Sequence, residues 1–445
     1  MVRSLHHPSI HDYGRTVPSW WAASAGKGPD APPLKGTVQA EVAVIGAGVT
    51  GLNAALALAR AGVSAVVVDA APLGWGASGR NGGFCCLGSS KRSWQQIIRQ
   101  FGLAEARRFF NLQAAAIDHV RDVIAEHAIA CDKGPPGELI FAHHRHARAR
   151  LEAEAEMMRD VFRVDALMMS RADLREFGLV TGENRPGLMV PHGFPLHPLK
   201  YLHGLARAVL AAGVPVHGES PVTAWTREGA RHRLVTPGGE VLADRVAVAT
   251  AGFTREDLSP AFAGRLLPVL SNIIVTKPID RAARIAQGFT SRTMCADSRR
   301  LLHYFRLLPD GRLLFGARGG ISAAPGAEPA MKARLEGDLA RMFPAFAGVG
   351  VDYFWRGLTD ITFDRLPHLG TVEDGSVHYL LGFHGNGLAM GSLGGAMMGA
   401  RLAGLPVDLP AAISRPLPRF PLSALRQTYL RAAYAAYGLG DRLGR

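Results

Sequence analysis

Residues 41–51 read EVAVIGAGVTG, and the chain continues as LNAALALARAGVSAVVVDA through residue 70. A continuous apolar strand, Val42–Ile45, meets Gly46, Gly48 and Gly51, and a helix pattern follows at once. A second apolar strand, Ala65–Val68, ends on Asp69. Each part has a mechanical job at a dinucleotide. Gly46 allows the tight turn, Gly48 lets backbone approach a pyrophosphate, and Gly51 lets helix and strand pack closely. The helix start offers free N–H groups and a positive dipole end to phosphates. Asp69 stands where a carboxylate accepts from a ribose hydroxyl. Alone, the glycine pattern would be only a glycine-rich turn; with strand, helix, second strand and acid in order it predicts dinucleotide binding.

Composition bounds the remaining possibilities. A chain of 445 residues can build two or more domains. Its 20% charged and 48% hydrophobic residues are ordinary for a globular protein. No stretch of about 18 uncharged apolar residues predicts a membrane span, and MVRSLHHPSIHDYG lacks the apolar core of a secretion signal. Cys85, Cys86, Cys131 and Cys295 form neither a disulfide framework nor a CxxC pair, so no metal site is expected. A cytoplasmic location is expected. The net charge of +13 raises nucleic acid as a partner, but no basic run or nucleic-acid motif accompanies it. Attraction of acidic metabolites or a weak membrane-surface contact explains the charge equally well.

Residues 1–38 lack periodicity and read as an arm packed on the surface by Trp20 and Trp21. Residues 94–131, 145–177, 198–213, 328–343 and 389–404 read as helices. A hairpin turning at Pro237-Gly238-Gly239 leads to a buried strand, Val246–Ala249, and a second hairpin turns at Pro309-Asp310-Gly311. The last thirty-odd residues carry Arg415, Arg419, Arg426, Arg431, Arg442 and Arg445 against Asp441 alone.

The fingerprint by itself fits an NAD-dependent dehydrogenase, but three further segments favour FAD. Gly74–Phe84 (GWGASGRNGGF) is too glycine-rich to pack a core and suits backbone lying flat against a ring system, although a surface loop would read similarly. Ala249-Thr250-Ala251-Gly252 ends a buried strand on small residues. GFHGNGLAMG sets Gly385, Asn386 and Gly387 just before a helix, a second site for the polar edge of a flavin.

SWWAASAGKG at 19–28, EVAVIGAGVTGLNAALALARAG, GWGASGRNGG, LLPDGRLLFG, WRGLTDITFDRLPHLG and GFHGNGLAMG together resemble the D-amino-acid oxidase superfamily of flavoproteins, most of all its gamma-glutamylputrescine oxidase branch. The resemblance extends to PLPRFPLSALRQTYLRAAYAAYG near the C-terminus. It implies an α/β protein: a discontinuous, Rossmann-like FAD-binding domain of the glutathione-reductase type, with an inserted substrate domain of mixed sheet and helices. The expected division is an arm at 1–38; an FAD domain at 39–92, 192–256 and 351–410; a substrate domain at 93–191 and 257–350; and a basic segment at 411–445. The implied reaction removes hydride from a carbon bearing an amine, giving an imine that hydrolyses, with O2 reduced to H2O2. Position by position, Gly46, Gly48, Val49, Thr50 and Gly51 are expected at the pyrophosphate and Asp69 at the ribose. Ser78, Arg80, Asn81, Gly82 and Gly83 are expected along the flavin, Val222 at adenine, Ala251 and Gly252 beside the ligand, and Gly385–Leu388 at the flavin pyrimidine edge. Some superfamily members tether flavin through a cysteine before the last glycine motif. Trp355–Gly391 has none, so noncovalent FAD is expected, with Cys85 and Cys86 read as packing residues or, less simply, a tether.

The expected substrate residues are Tyr304, Arg306 and His303. Strand period puts Tyr304 and Arg306 on one face and His303 and Phe305 on the other. Arg306 offers two parallel donors to a carboxylate, against the plain alternative of a surface arginine and a core tyrosine. His384 is open between proton transfer and a structural role, and Asp360 is expected to shape the loop under the flavin. The leading reading is an amine or amino-acid oxidase. Its alternatives are a dehydrogenase passing electrons to a quinone or carrier, and a non-catalytic flavoprotein subunit.

Overall fold

The computed structural model describes residues 5–443; residues 1–4 of the arm and residues 444–445, Arg445 among them, lie outside it. Strand Gly36–Ile45 sits inside a sheet whose order is His368–Val372, Val377–Leu381, Gly239–Val248, Gly36–Ile45, Ala65–Val68, Val216–His217. Neighbours run parallel except His368–Val372, which is antiparallel to Val377–Leu381. Val42, Ala43 and Val44 are fully buried, as a parallel strand covered on both faces requires. Strands Ala224–Glu228 and Arg231–Val235 extend the sheet from Gly239–Val248 as an antiparallel ladder.

The second sheet runs Val351–Ile361, Leu267–Thr276, Leu313–Arg318, His303–Leu307, Met294–Asp297, Glu138–Phe141, Gly187–Val190, Leu167–Met169. Its pairs are antiparallel except Met294–Asp297 with Glu138–Phe141. One face buries Phe141, Phe305 and Phe315 with Phe289, Phe343 and Phe346 in an aromatic core. The alternation of strand side chains gives the other face Glu138, Ala296, Tyr304, Ser271 and Ile273, all of which line one cavity.

Four features depart from the sequence reading. Segment 351–410 does not belong whole to the first sheet: Val351–Ile361 pairs along its length with Leu267–Thr276, and only the strands after it return. Helix Leu103–Glu126, expected in the substrate domain, buries Phe109, Ala116, Ile117 and Val120 in the core shared with Leu52, Leu56, Met398 and Leu402 of the first domain. The helix expected over 145–177 stops at Phe162, because Arg163 turns left-handed (φ 59°), and strand Leu167–Met169 follows. Trp20 and Trp21 are not a surface clasp either. Trp21 is 1% exposed and its indole N–H donates to Asn81 O at 2.8 Å, so the arm is sewn into the Gly74–Phe84 segment, the expected flavin loop.

Helix Val49–Arg60 and helix Gly387–Leu402 lie in backbone contact. A Cβ at Gly395 would fall 2.2 Å from Thr50 O, and one at Gly399 2.4 Å from Ala54 O. Gly391 extends the stripe, its Cβ position 2.8 Å from the Thr50 hydroxyl oxygen. By contrast, Gly337 in helix Glu328–Met342 has open space around its Cβ position. Gly395→Ala is therefore expected to destabilise by about 1–3 kcal/mol through overpacking. Gly337→Ala should stabilise by about 0.5–1 kcal/mol. Urea unfolding of the two variants checks both signs.

Candidate active site

Both helices of that pair begin at the same cavity. Gly48, Val49 and Thr50 line it from one helix, and Gly385, Asn386, Gly387 and Leu388 from the other. Each helix start leaves N–H groups without intrahelical partners, and the two dipoles point positive ends at one space. Gly46 has φ 110°, and a Cβ there would strike Ala249 O at 2.7 Å. Gly51 packs on Gly46 O rather than facing the cavity. Gly48 faces Ser78, whose Oγ accepts from Val49 N–H at 3.0 Å; a Cβ at Gly48 would come within 2.7 Å of that oxygen.

A second cleft, lined by Gly46, Asp69, Val222, Arg255, Thr250 and Ala251, joins the first through Gly48, Ala77, Ser78, Ala249 and Ala251. The Asp69 carboxylate accepts from Ala47 N–H at 2.7 Å and Ala71 N–H at 3.0 Å, which fixes it at the end of its strand. Burial raises its pKa while those backbone donors pull it back. Arg255 donates to Val222 O at 3.1 Å and holds that loop in place. The two clefts form one elongated site of the kind a dinucleotide with a ring system needs.

The flavin loop supplies Ser78, Arg80, Asn81 and Gly82 to the cavity wall, whereas Gly83 points into packing against Leu196 O. Arg80 is 7% exposed; one guanidinium nitrogen donates to Arg356 O at 3.2 Å, while Nε and Nη2 are buried without partners. Its guanidinium lies over the Trp75 ring, and burial draws its pKa down to about 9. Orphaned cationic donors beside two helix starts fit a phosphate- and carbonyl-bearing cofactor. These residues would hold FAD. Gly252 does not line the site: it lies against Leu358, where a Cβ would come within 3.0 Å.

Of the three expected substrate residues, only Tyr304 reaches the cavity. Its hydroxyl meets Ser271 Oγ at 2.8 Å, and its ring fills the space that glycine leaves at Gly82 and Gly316. Burial lifts its pKa to about 12, so it stays a phenol. Arg306 shares that face, as the strand period requires, but the flavin loop lies on top of it. It donates to Gly82 O at 3.1 Å and Leu196 O at 2.6 Å, and it is 2% exposed. Its job is to pin the loop, not to meet a ligand. His303 is turned to the opposite side, between Asp297 at 2.7 Å and Asp338 at 3.1 Å, which raise its pKa. That network, with Arg299 and Glu183, ties the second sheet to helix Glu328–Met342.

Asp360 shapes the turn before the second helix. Its carboxylate accepts from Gly382 N–H at 2.5 Å and Phe383 N–H at 3.3 Å. His384 is fully buried, meets Thr362 Oγ1 at 3.1 Å, and has its pKa drawn down to about 3 by burial, so it is a neutral structural imidazole. The four cysteines are buried free thiols, and burial raises the pKa of each. None lines the cavity, and a thiol held protonated is a poor nucleophile for a flavin tether.

Three charged residues at the cavity are not among the expected site residues: Lys91, Glu138 and Arg318. Glu138 opens the otherwise apolar strand Glu138–Phe141, which is the one local signal it gives. Arg318 donates to His384 O, and burial lowers its pKa. Among the described residues it makes no ion pair with a carboxylate.

A protein-family model described as FAD dependent oxidoreductase, DAO, matches residues 41–401. The chain is 30% identical over 431 residues to gamma-glutamylputrescine oxidoreductase of Escherichia coli (strain K12), covering 96% of this chain and 98% of that one. Its fold is similar to the L-amino acid deaminase of Proteus vulgaris with its specific insertion sequence deleted, with a TM-score of 0.69 at 19% identity, over 92% of this chain and 100% of that one. It is also similar to the glycine oxidase of Geobacillus kaustophilus, with a TM-score of 0.68 at 19% identity, over 86% and 99% of the two chains. An elongated site fitted to FAD and a match across 41–401 lead to one conclusion: the chain belongs to the DAO family of FAD-dependent oxidoreductases.

Proposed function

We propose that this FAD-dependent oxidoreductase of C–N bonds acts on an amine that also carries a carboxylate, with gamma-glutamylputrescine the first candidate, and reduces O2 to H2O2. The observation that carries the reading is the cavity wall formed by the second sheet. Tyr304, Arg318 and Glu138, with Lys91 from the segment after Phe84–Cys85, give it polar groups of both signs among apolar residues such as Ile273, Ala296 and Leu302. A ligand there is oriented by a few polar contacts on an apolar wall. The name of the E. coli relative supports the substrate class.

When bound, FAD supplies a two-electron acceptor for the hydride lost from the carbon next to nitrogen. Protein groups do the rest. Arg318 faces the cavity with guanidinium donors not taken by His384 O, a fit for the substrate carboxylate. Tyr304 walls the reacting end with its face while Ser271 fixes its hydroxyl. Arg306 and Trp21 hold the flavin loop from behind, through Gly82 O and Asn81 O. A loop and ring anchored in this way would orient a bound substrate's C–H bond.

Among the described residues no helix is long and apolar enough to cross a membrane. We assign the enzyme to the cytoplasm, where four free thiols stay reduced. The basic C-terminal segment is partly committed to packing: Arg426 is buried against Glu256, whereas Arg419, Arg431 and Arg442 are exposed and available to an anionic surface.

Anaerobic addition of gamma-glutamylputrescine, other polyamine derivatives, N-methyl amino acids and D-amino acids tests the function. Flavin bleaching by an amine alone is expected; absence of bleaching with all of them contradicts it and favours a non-catalytic subunit. Peroxide formed in air supports the oxidase, and turnover only with a dye or quinone supports the dehydrogenase.

The buried, cavity-excluded cysteines predict noncovalent FAD. Flavin should leave with acid precipitation, and flavin retained on the denatured chain contradicts this. The two arginines should separate cleanly. Arg318→Ala is expected to weaken carboxylate-bearing amines by about 2–4 kcal/mol, from loss of one partner of a desolvated pair, with simple amines much less affected. Arg306→Ala should instead lower FAD content and stability whatever the substrate. Steady-state kinetics on both substrate classes, with the absorbance of bound flavin, tells these outcomes apart.

A further inference from the structure

Lys91 and Glu138 come from distant segments to one cavity. Lys91 follows strand Phe84–Cys85, and Glu138 starts the strand that pairs with Met294–Asp297. Both side chains line the cavity that also holds Tyr304 and Arg318. Among the described residues neither makes an ion pair, and the Lys91 ammonium has no hydrogen-bond partner. Each is nevertheless a charge neighbour of the other. Two opposite charges set in one wall, too far apart to neutralise each other directly, leave a place for a third polar group between them.

An amine reaches the enzyme as an ammonium at neutral pH, and a nitrogen without a lone pair cannot support loss of hydride from its carbon. Some group must take that proton. Resting on the amine-oxidising reading above, we propose that Glu138 accepts the proton of the substrate ammonium, and that Lys91 is a positioning residue that keeps the Glu138 carboxylate ionised to do so. In the step an N–H bond of the substrate breaks, its electron pair stays on nitrogen, and an O–H bond forms on Glu138. Glu138 is the acceptor rather than Lys91 because a carboxylate attracts the incoming cation and an ammonium repels it.

The surroundings suit the task. Burial pushes the Glu138 carboxyl up to about 7, and Lys91 opposes that rise. Burial draws the Lys91 ammonium down to about 7, with Arg318 adding to the effect. A base with a pKa near the working pH serves general acid–base chemistry best. The Cys86 thiol donates a hydrogen bond to the Glu138 carboxylate, Glu154 of helix Arg145–Phe162 adds a charge that also raises the carboxyl, and Cys295 is a charge neighbour on the opposite face of the next strand. Lys91 also faces the neutral His384.

The test uses the holoenzyme with gamma-glutamylputrescine in anaerobic stopped flow across pH, for wild type, Glu138→Gln, Glu138→Asp, Lys91→Met and Lys91→Arg. FAD content is checked by absorbance in each. The wild-type rate of flavin reduction should fall on the acid side near pH 7. Glu138→Gln should be slower by about 10²-fold or more at pH 7 and lose that limb, and Glu138→Asp should recover part of the rate. Lys91→Met removes a charge that favours the carboxylate, so its acid limb should move to higher pH; Lys91→Arg should leave the limb in place. A second readout needs no substrate: an infrared band of a protonated carboxyl should titrate near neutral pH in the wild type and be missing in Glu138→Gln. A Glu138→Gln enzyme with the wild-type rate and limb, or no such band, overturns the proposal while leaving amine oxidation standing. A titrating band with no amine able to reduce the flavin overturns the proposed function and the proton-accepting role with it.

Discussion

Two helices touch backbone to backbone at Gly391, Gly395 and Gly399, and the site depends on that contact. Any side chain at Gly395 or Gly399 would drive into the carbonyls of Thr50 or Ala54. Because helices Val49–Arg60 and Gly387–Leu402 pack this closely, their N-terminal ends arrive together at one cavity, although more than 300 residues separate them in the chain. The helix ends offer N–H groups to opposite parts of a long ligand. The first sheet sets the height of one end through Gly46, and the Asp360 carboxylate sets the other through Gly382 and Phe383.

The second sheet completes the cavity because its two faces are chemically different. Phe305 and Phe315 lock one face to Phe343 and the helix behind it. With that face fixed, Tyr304, Ala296, Ser271, Ile273 and Glu138 are held toward the flavin loop. Arg306 joins the two parts by donating to Gly82 O and Leu196 O, and Trp21 of the arm does the same at Asn81 O. The loop is therefore anchored from behind by cationic and indole donors and left open in front. Such anchoring gives a glycine-rich segment the rigidity that its composition alone denies it.

The strand–turn–helix unit at Gly46, Gly48 and Gly51 is legible because its geometry is local. Gly46, Gly48, Gly51 and Asp69 fall within one βαβ unit, so spacing alone dictates which backbone turns and which packs. Family membership was legible too, since its motifs are contiguous. The substrate end was not, because it is assembled across the chain. Strand alternation rightly put Tyr304 and Arg306 on one face, but it is blind to the loop that covers Arg306 and leaves Tyr304 open. The same alternation puts His303 on the far face, and only the fold reveals Asp297 and Asp338 on either side of it. Lys91 and Glu138 carry no spacing signal, since their proximity exists only once Glu138–Phe141 joins Met294–Asp297 beneath the flavin loop. The division that the resemblance implies puts residues 351–361 in the first domain, but their pairing with Leu267–Thr276 is a long-range choice that local patterning does not encode.

The most direct test of this account is a crystal structure of the enzyme purified with FAD. The account predicts the pyrophosphate at the start of helix Val49–Arg60, the ribose at Asp69, and the flavin ring between Gly385–Leu388 and the Tyr304 face of the second sheet. Flavin density outside that cavity, or a pyrophosphate away from Gly48 and Val49, would contradict the claim that the paired helix ends build the site.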